Sequence, residues 1–260
     1  PTAVPAFIGY TEKAERGEES LHLTPTRISS YGEYLDYFGG APTVAFGLIP
    51  KTEKDESLDY DLQVDRATNF ILHACMRLFF ANGGSDCYVV SVGTYAEAAG
   101  EGVEKAVLEA GLEPLRKEPE PTLLVMPEAV LLPQPEECYT LQQAMLRQCA
   151  ELQDRFALLD IYQGYRSRNQ GDEDVIARFR EGIGDDYLQW GAAYYPWLET
   201  TIYSRDDVGL ENVPDFEKQE DLKAQLEKLT ASGLEDLKKG RDLKVLSKAL
   251  TTISPEAKAI

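Results

Sequence analysis

Short apolar runs alternate with amphipathic stretches along most of the chain, a pattern that predicts an α/β layered domain. Residues 4–10 form the first apolar run, short enough for a strand and closed by the charged turn Thr11-Glu12-Lys13. Ser30 and Glu33 have the spacing of a capping box. A helix is therefore expected from Ser30 to Phe38, stopped by Gly39-Gly40, with Tyr34, Leu35 and Phe38 turned inward. After a polar loop over 51–58, Val64, Ala67, Ile71, Ala74, Cys75 and Leu78 recur at the spacing of one helix face. Asn82-Gly83-Gly84 ends that helix, because glycine takes the left-handed conformation at little steric cost. A strand follows over 87–92.

Further along, 96–115 predicts a helix with glycine-broken ends and 122–126 a compact strand. Leu141, Ala144, Met145, Gln148, Cys149 and Leu152 mark the next helix, which leads through Asp154-Arg155 into a strand at 156–161. A short helix at 175–179 precedes a last strand over 192–202. Connections of this length suit parallel strands with crossover helices, and runs such as Leu123-Leu124-Val125 suit strands covered on both faces. The expected fold is a mostly parallel or mixed sheet flanked by helices. From Arg205 onward, Leu222, Leu226, Leu229, Leu234, Leu237, Leu246 and Leu250 are interleaved with Lys, Glu and Asp. They predict amphipathic helices whose apolar faces need a partner. The chain thus divides into an α/β domain, 1–204, and a helical segment, 205–260.

Charge narrows the choice of partners. With 45 acidic and 26 basic side chains the formal net charge is −19, and such a surface repels phosphate backbones, so nucleic acid is not expected as a partner. Any self-assembly must rest on matched patches or strand pairing strong enough to overcome like-charge repulsion. No apolar run approaches the ~20 residues that span a bilayer, so membrane insertion is not expected. The opening Pro1-Thr2-Ala3-Val4-Pro5 lacks an initiator Met and the basic-then-apolar pattern of a signal peptide, and predicts a piece of a longer chain. Cys75, Cys87, Cys138 and Cys149 contain no C-x-x-C pair and are expected to be buried thiols in a reducing compartment.

Candidate chemistry is sparse. Neither G-x-G-x-x-G nor G-x-x-x-x-G-K-[ST] is present, so the backbone cradle for a phosphate is not encoded. His22 and His73 are too few for a histidine metal site or triad, and Ser85, Ser91 and Ser167 lack a G-x-S-x-G elbow. The acidic run Asp172-Glu173-Asp174 and the pair Asp185-Asp186 are candidates for a cation site or an acid/base pair. In a chain this acidic, adjacent acids at loops and helix starts need no such role. Tyr31, Tyr34 and Tyr37, and again Tyr194-Tyr195, suit core packing or a subunit interface. Trp197 is expected to be buried beside Tyr195. No catalytic residue, metal or cofactor is assigned.

Three stretches carry a resemblance. Val4-Pro5-Ala6-Phe7-Ile8-Gly9-Tyr10-Thr11 with the later Tyr37-Phe38-Gly39-Gly40 is one. The second is Leu78-Phe79-Phe80-Ala81-Asn82-Gly83-Gly84 running into Asp86-Cys87-Tyr88-Val89-Val90-Ser91-Val92. The third comprises Asp154-Arg155-Phe156-Ala157-Leu158-Leu159-Asp160 and Ala192-Ala193-Tyr194-Tyr195-Pro196-Trp197-Leu198. Each is a weakly specific folding motif, but in this order and spacing they resemble the sheath proteins of contractile phage tails and phage-tail-like injection systems. The resemblance implies a structural protein rather than an enzyme. Such subunits stack as hexameric rings around an inner tube and rearrange from an extended to a shorter, wider sheath. The implied partners are other sheath subunits, the inner tube protein, and baseplate and terminator proteins. The implied place is the bacterial cytoplasm during assembly, then the tail or released particle. The family's N-terminal arm, its Pro-Pro-Ser-Gly-like turn and its tube-facing domain are not found here, so a partial subunit is expected.

Overall fold

The computed structural model describes residues 3–50, 60–168, 174–203, 207 and 212–214. The chain divides into two compact units, one of Pro1–Pro42 with Arg66–Leu198 and the other of Thr43–Asp65 with Glu199–Ile260. The predicted helices beyond Arg205 lie outside the described residues.

In chain order the elements are β1 (Pro5–Thr11), β2 (Glu15–Arg16), β3 (Glu19–Ser20), β4 (Thr26–Ile28), α1 (Tyr31–Phe38), β5 (Phe46–Pro50), β6 (Tyr60–Val64), α2 (Leu72–Ala81), β7 (Cys87–Thr94), α3 (Lys105–Ala110), α4 (Leu112–Leu115), β8 (Leu123–Val125), α5 (Pro135–Leu152), β9 (Phe156–Asp160), α6 (Val175–Ile183) and β10 (Gly191–Tyr194). The first unit is an α/β domain on a six-stranded sheet of order β10-β9-β8-β1-β7-β4. All neighbours are parallel except β4, which runs antiparallel to β7 at one edge. Counted along the chain, the five parallel strands have the order 2-1-3-4-5, one of the two common doubly wound orders. The strand order reverses between β1 and β8.

Strand alternation divides the core into two layers. Ala6, Ile8, Tyr88, Val90, Leu124, Ala157 and Leu159 face one side and pack with Leu108, Leu115, Leu141, Met145 and Phe179 of α3 to α6. Phe7, Cys87 and Val89 face the other and pack with Tyr34 and Phe38 of α1 and Leu72 and Met76 of α2.

Local signals explain where the helices begin and end. Ser30 Oγ accepts the Glu33 N–H at 3.2 Å, but the Glu33 carboxylate reaches one residue earlier than a standard box, to the N–H and hydroxyl of Ser29 at 2.6 and 2.9 Å. Tyr34 and Phe38 are buried, whereas Leu35 is 38% exposed, contrary to expectation. Its angular position on so short a helix lies beyond the stripe that meets the sheet. α2 closes with Gly83 at φ 85°: Gly84 N–H bonds Phe79 O at 2.9 Å and Gly83 N–H bonds Phe80 O at 3.1 Å, the paired bonds of a Schellman ending.

The helix predicted from Val64 begins only at Leu72. Val64 and Gln63 instead pair with Phe46 and Gly47 in the antiparallel β5–β6 ladder of the second unit. There Asn212 Nδ2 donates to Val44 O at 2.8 Å, and Phe46 and Val213 are buried. Ladder pairing overrides a spacing that mimicked one helix face. Similarly, 96–115 forms only the short α3 and α4, because Gly100 and Gly102 take φ of 91° and 76°. α5 starts at Pro135, six residues or so before its apolar spacing becomes legible, since proline suits the first helical position. The strand expected over 192–202 ends at Tyr194.

Candidate functional site

In a doubly wound sheet the usual ligand crevice lies beyond the carboxyl ends of the strands, at the reversal of strand order. Here that is the gap above β1 and β8, and it is filled from within. After β8 the chain turns through a 3-10 segment, Pro127–Leu131, that directs Glu128 under the start of α2. Glu128 is 0% exposed. Its Oε2 accepts the Tyr10 N–H at 2.8 Å, and its Oε1 accepts the N–H groups of Ile71 at 3.1 Å and Leu72 at 3.2 Å. The first amides of a helix lack intrahelical acceptors and attract anions. In this fold a carboxylate of the chain itself takes that place. The register of β1 against β7 shifts between Gly9 and Thr11, and Glu128 meets the Tyr10 amide at this irregularity. Gly9 leaves the room, since a Cβ there would lie 2.7 Å from Glu128 Oε2. Burial pushes the Glu128 carboxyl up to about 7, against the three N–H bonds, which favour ionisation.

The residues singled out from sequence do not converge on this point. His73 is buried between α1 and α2, its Nε2 2.8 Å from the Tyr31 hydroxyl, and burial lowers its pKa. His22 is exposed. Ser91 is buried against Thr11, their hydroxyl oxygens 2.6 Å apart, and Ser85 and Ser167 are exposed. Asp172 and Glu173 lie outside the described residues. Asp174 caps α6 by accepting the Ile176 N–H at 2.9 Å and pairs with Arg168. Asp185 and Asp186 are exposed in the turn after α6. Cys87, Cys138 and Cys149 are buried free thiols and Cys75 is half-buried. Burial raises all four, Cys75, Cys87 and Cys149 to about 12, which keeps them protonated and unreactive near neutrality. Among the described residues no three His, Cys, Asp or Glu side chains are grouped to hold a metal ion, and no helix is long and apolar enough to cross a membrane.

Among the described residues a different surface is less covered. On the side of the sheet that carries α1 and α2, the second core layer reaches Val125 of β8, which is itself half-buried. The register continues that face through Leu158 of β9 to Ala192 and Tyr194 of β10. Phe156, Leu158 and Ala192 are half-buried and Tyr194 is 64% exposed. Near it in the chain, Tyr187, Leu188 and Leu198 are also exposed, Leu198 at 83%. Tyr187 holds φ of 60°, a left-handed conformation uncommon outside glycine and asparagine. Trp197 is half-buried rather than enclosed: its indole N–H donates to Ile161 O at 2.9 Å and its ring meets Tyr165 edge-on. Among the described residues β10 has a strand neighbour on one side only, which makes it an edge strand of the described sheet.

Sequence reasoning missed both features. Glu128 lies among apolar residues, Pro127 and Ala129-Val130-Leu131-Leu132, and an acid inside such a run is the one signal that could have marked it as buried. The open face had no signal, because Phe156, Leu158 and Tyr194 look like ordinary strand residues until register aligns them. Comparison of the chain with protein-family profiles and with curated protein sequences returns no match.

Proposed function

We propose that this chain is the α/β part of a contractile-sheath subunit, a structural protein whose work is done by changing how its copies touch. The observation that carries the reading is the contrast within one sheet. The crevice where an α/β enzyme binds its ligand is filled by Glu128, while among the described residues β9 and β10 carry a partly uncovered apolar face and β10 is an edge strand. The resemblance in sequence supports it further. The stretches that carry it form β1, the end of α1, the α2–β7 unit, and the β9–β10 pair, which span the centre of the sheet, a helix beside it and the β10 edge.

In this reading neighbouring copies meet at the β9–β10 end, and the partners are other sheath subunits, an inner tube protein, and baseplate and terminator proteins. Firing uses free energy stored in assembly, because subunit contacts with two discrete arrangements can shift together from one to the other. Electron microscopy of the full-length protein tests the proposal. Rings or tubes, alone or around a tube protein, are expected. Uniformly dispersed particles under all assembly conditions would contradict it.

A further inference from the structure

His73 stands where an imidazole is at home neutral and out of place charged. It is the second residue of α2 and 4% exposed, with the Tyr31 and Tyr34 rings of α1 at centroid distances of 5.9 and 6.0 Å. Its Nε2 lies 2.8 Å from the Tyr31 hydroxyl, and its Nδ1 is buried with no hydrogen-bond partner among the described residues. In either neutral tautomer the bond to Tyr31 survives, because a hydroxyl can donate or accept. The imidazolium carries a hydrogen on both nitrogens, so the one at Nδ1 meets no acceptor while the ring gives up its hydration. The first turn of a helix adds a third objection, since its open amides present positive charge to a cation. The two tyrosine rings are tilted 57° and 51° to the imidazole, and their attraction for a cation is smaller than the hydration lost.

The charged and titratable groups around His73 leave that balance in place. On α1, burial keeps Tyr31 and Tyr34 protonated, Glu33 is bonded to Ser29, and Asp36 is exposed. On α2 itself, Arg77 is a like charge four residues on, and Cys75 is a thiol raised by burial. Tyr10 of β1 is also kept protonated by burial, and Glu128 is bonded to the amides of Tyr10, Ile71 and Leu72. Glu12, just after β1, favours the imidazolium, but its carboxylate accepts the Gly40 N–H at 2.6 Å and its pull is weaker than burial and Arg77. The imidazole is accordingly held below its ordinary 6.5.

We propose that His73 is an acid-sensitive pin between α1 and α2. While neutral it holds Tyr31, and with it α1, against α2. When α1 lifts away the ring reaches water and takes up a proton, so acid favours the lifted state over the closed one. α1 is the piece that yields, because eight residues are too few for a stable helix alone and only its Tyr34 and Phe38 are buried. The stabilisation is complete above about pH 6.5 and is lost as pH falls through the lowered value of the closed state.

Residue-resolved hydrogen exchange on the full chain tests it at about pH 7.5 and about pH 5, with rates corrected for the intrinsic effect of pH. Measured against the α5 amides as internal reference, the α1 amides from Leu35 to Gly39 should exchange roughly tenfold faster at the lower pH. An ordinary histidine in the lifted state sets a ceiling of about thirtyfold. His73→Gln places an amide nitrogen near the position of Nε2 and cannot take up a proton, so the acceleration should disappear in it. Equal relative protection at both pH values, or the same acceleration in His73→Gln, overturns the pin. Should that variant fail to fold, NMR titration of the His73 ring in the unmodified chain takes its place. A midpoint below about pH 6 supports the proposal and one at or above it overturns it.

Discussion

The β1–β7 half of the sheet and the β9–β10 half are built from similar residues and end in opposite states. Every residue of β1 is buried, with a helix layer on each face, and the crevice above it is closed by Glu128. β9 alternates buried with half-buried residues, and β10 ends in the exposed Tyr194. The difference teaches that apolar content alone does not identify a core strand. Phe7 and Leu158 lie on the same face of one sheet, linked through Val125, yet a layer of α1 and α2 side chains encloses only the first. The half beneath α1 and α2 is fully enclosed, whereas among the described residues the β9–β10 half is only partly covered on that face.

The comparison can be broken most severely at its closed end. Glu128→Ala leaves the N–H groups of Tyr10, Ile71 and Leu72 without their acceptor and opens a void beside Gly9. It should lower stability by about 3–5 kcal/mol, read from denaturant unfolding near pH 5.5. The unmodified protein carries a pH effect of similar origin. Because the folded carboxyl is raised from 4.5 to about 7, the folded state keeps a proton that the unfolded state has already released. The associated stabilisation is complete below about pH 4.5, falls as pH rises toward 7 and is gone above it, a total of about 3 kcal/mol. Unfolding curves at a series of pH values should show that decline, and Glu128→Gln should flatten it.

Smaller effects sharpen the contrast. Gly83 has open space around its Cα, so Gly83→Val tests backbone strain without steric overlap. A loss of about 1 kcal/mol is expected from its φ of 85°. At the open end, Tyr194→Ser combined with Leu198→Ser should change stability by less than about 0.5 kcal/mol, since both side chains are exposed. Self-association of the full-length protein, followed by sedimentation velocity, should nevertheless weaken. A variant that assembles as well as the parent would remove β10 from the contact surface.

What the sequence made legible was local. The glycine ending of α2 at Gly83, the Ser30 cap and the parallel strand runs are written in neighbouring residues, and they were readable because turn and cap chemistry acts over a few positions. β4 escaped notice because three residues are too few to show alternation, and it is held by pairing with Cys87, Tyr88 and Val89 of β7. The β5–β6 hairpin was hidden because Val64 fitted a helical period as well as a strand. The Glu128 node joins positions 10, 71–72 and 128, and the open face joins 125, 158 and 194. Such sites depend on long-range register, which no local spacing encodes.

Hydroxyl-radical footprinting of the full-length protein, free and in assembled particles, bears most directly on the division of labour between the two halves. Tyr187, Leu188, Tyr194 and Leu198 should be reactive in the free subunit and protected on assembly, while Tyr10 and Phe70 beside the filled crevice stay protected in both. Particles in which the four remain as reactive as in the free subunit would contradict the account.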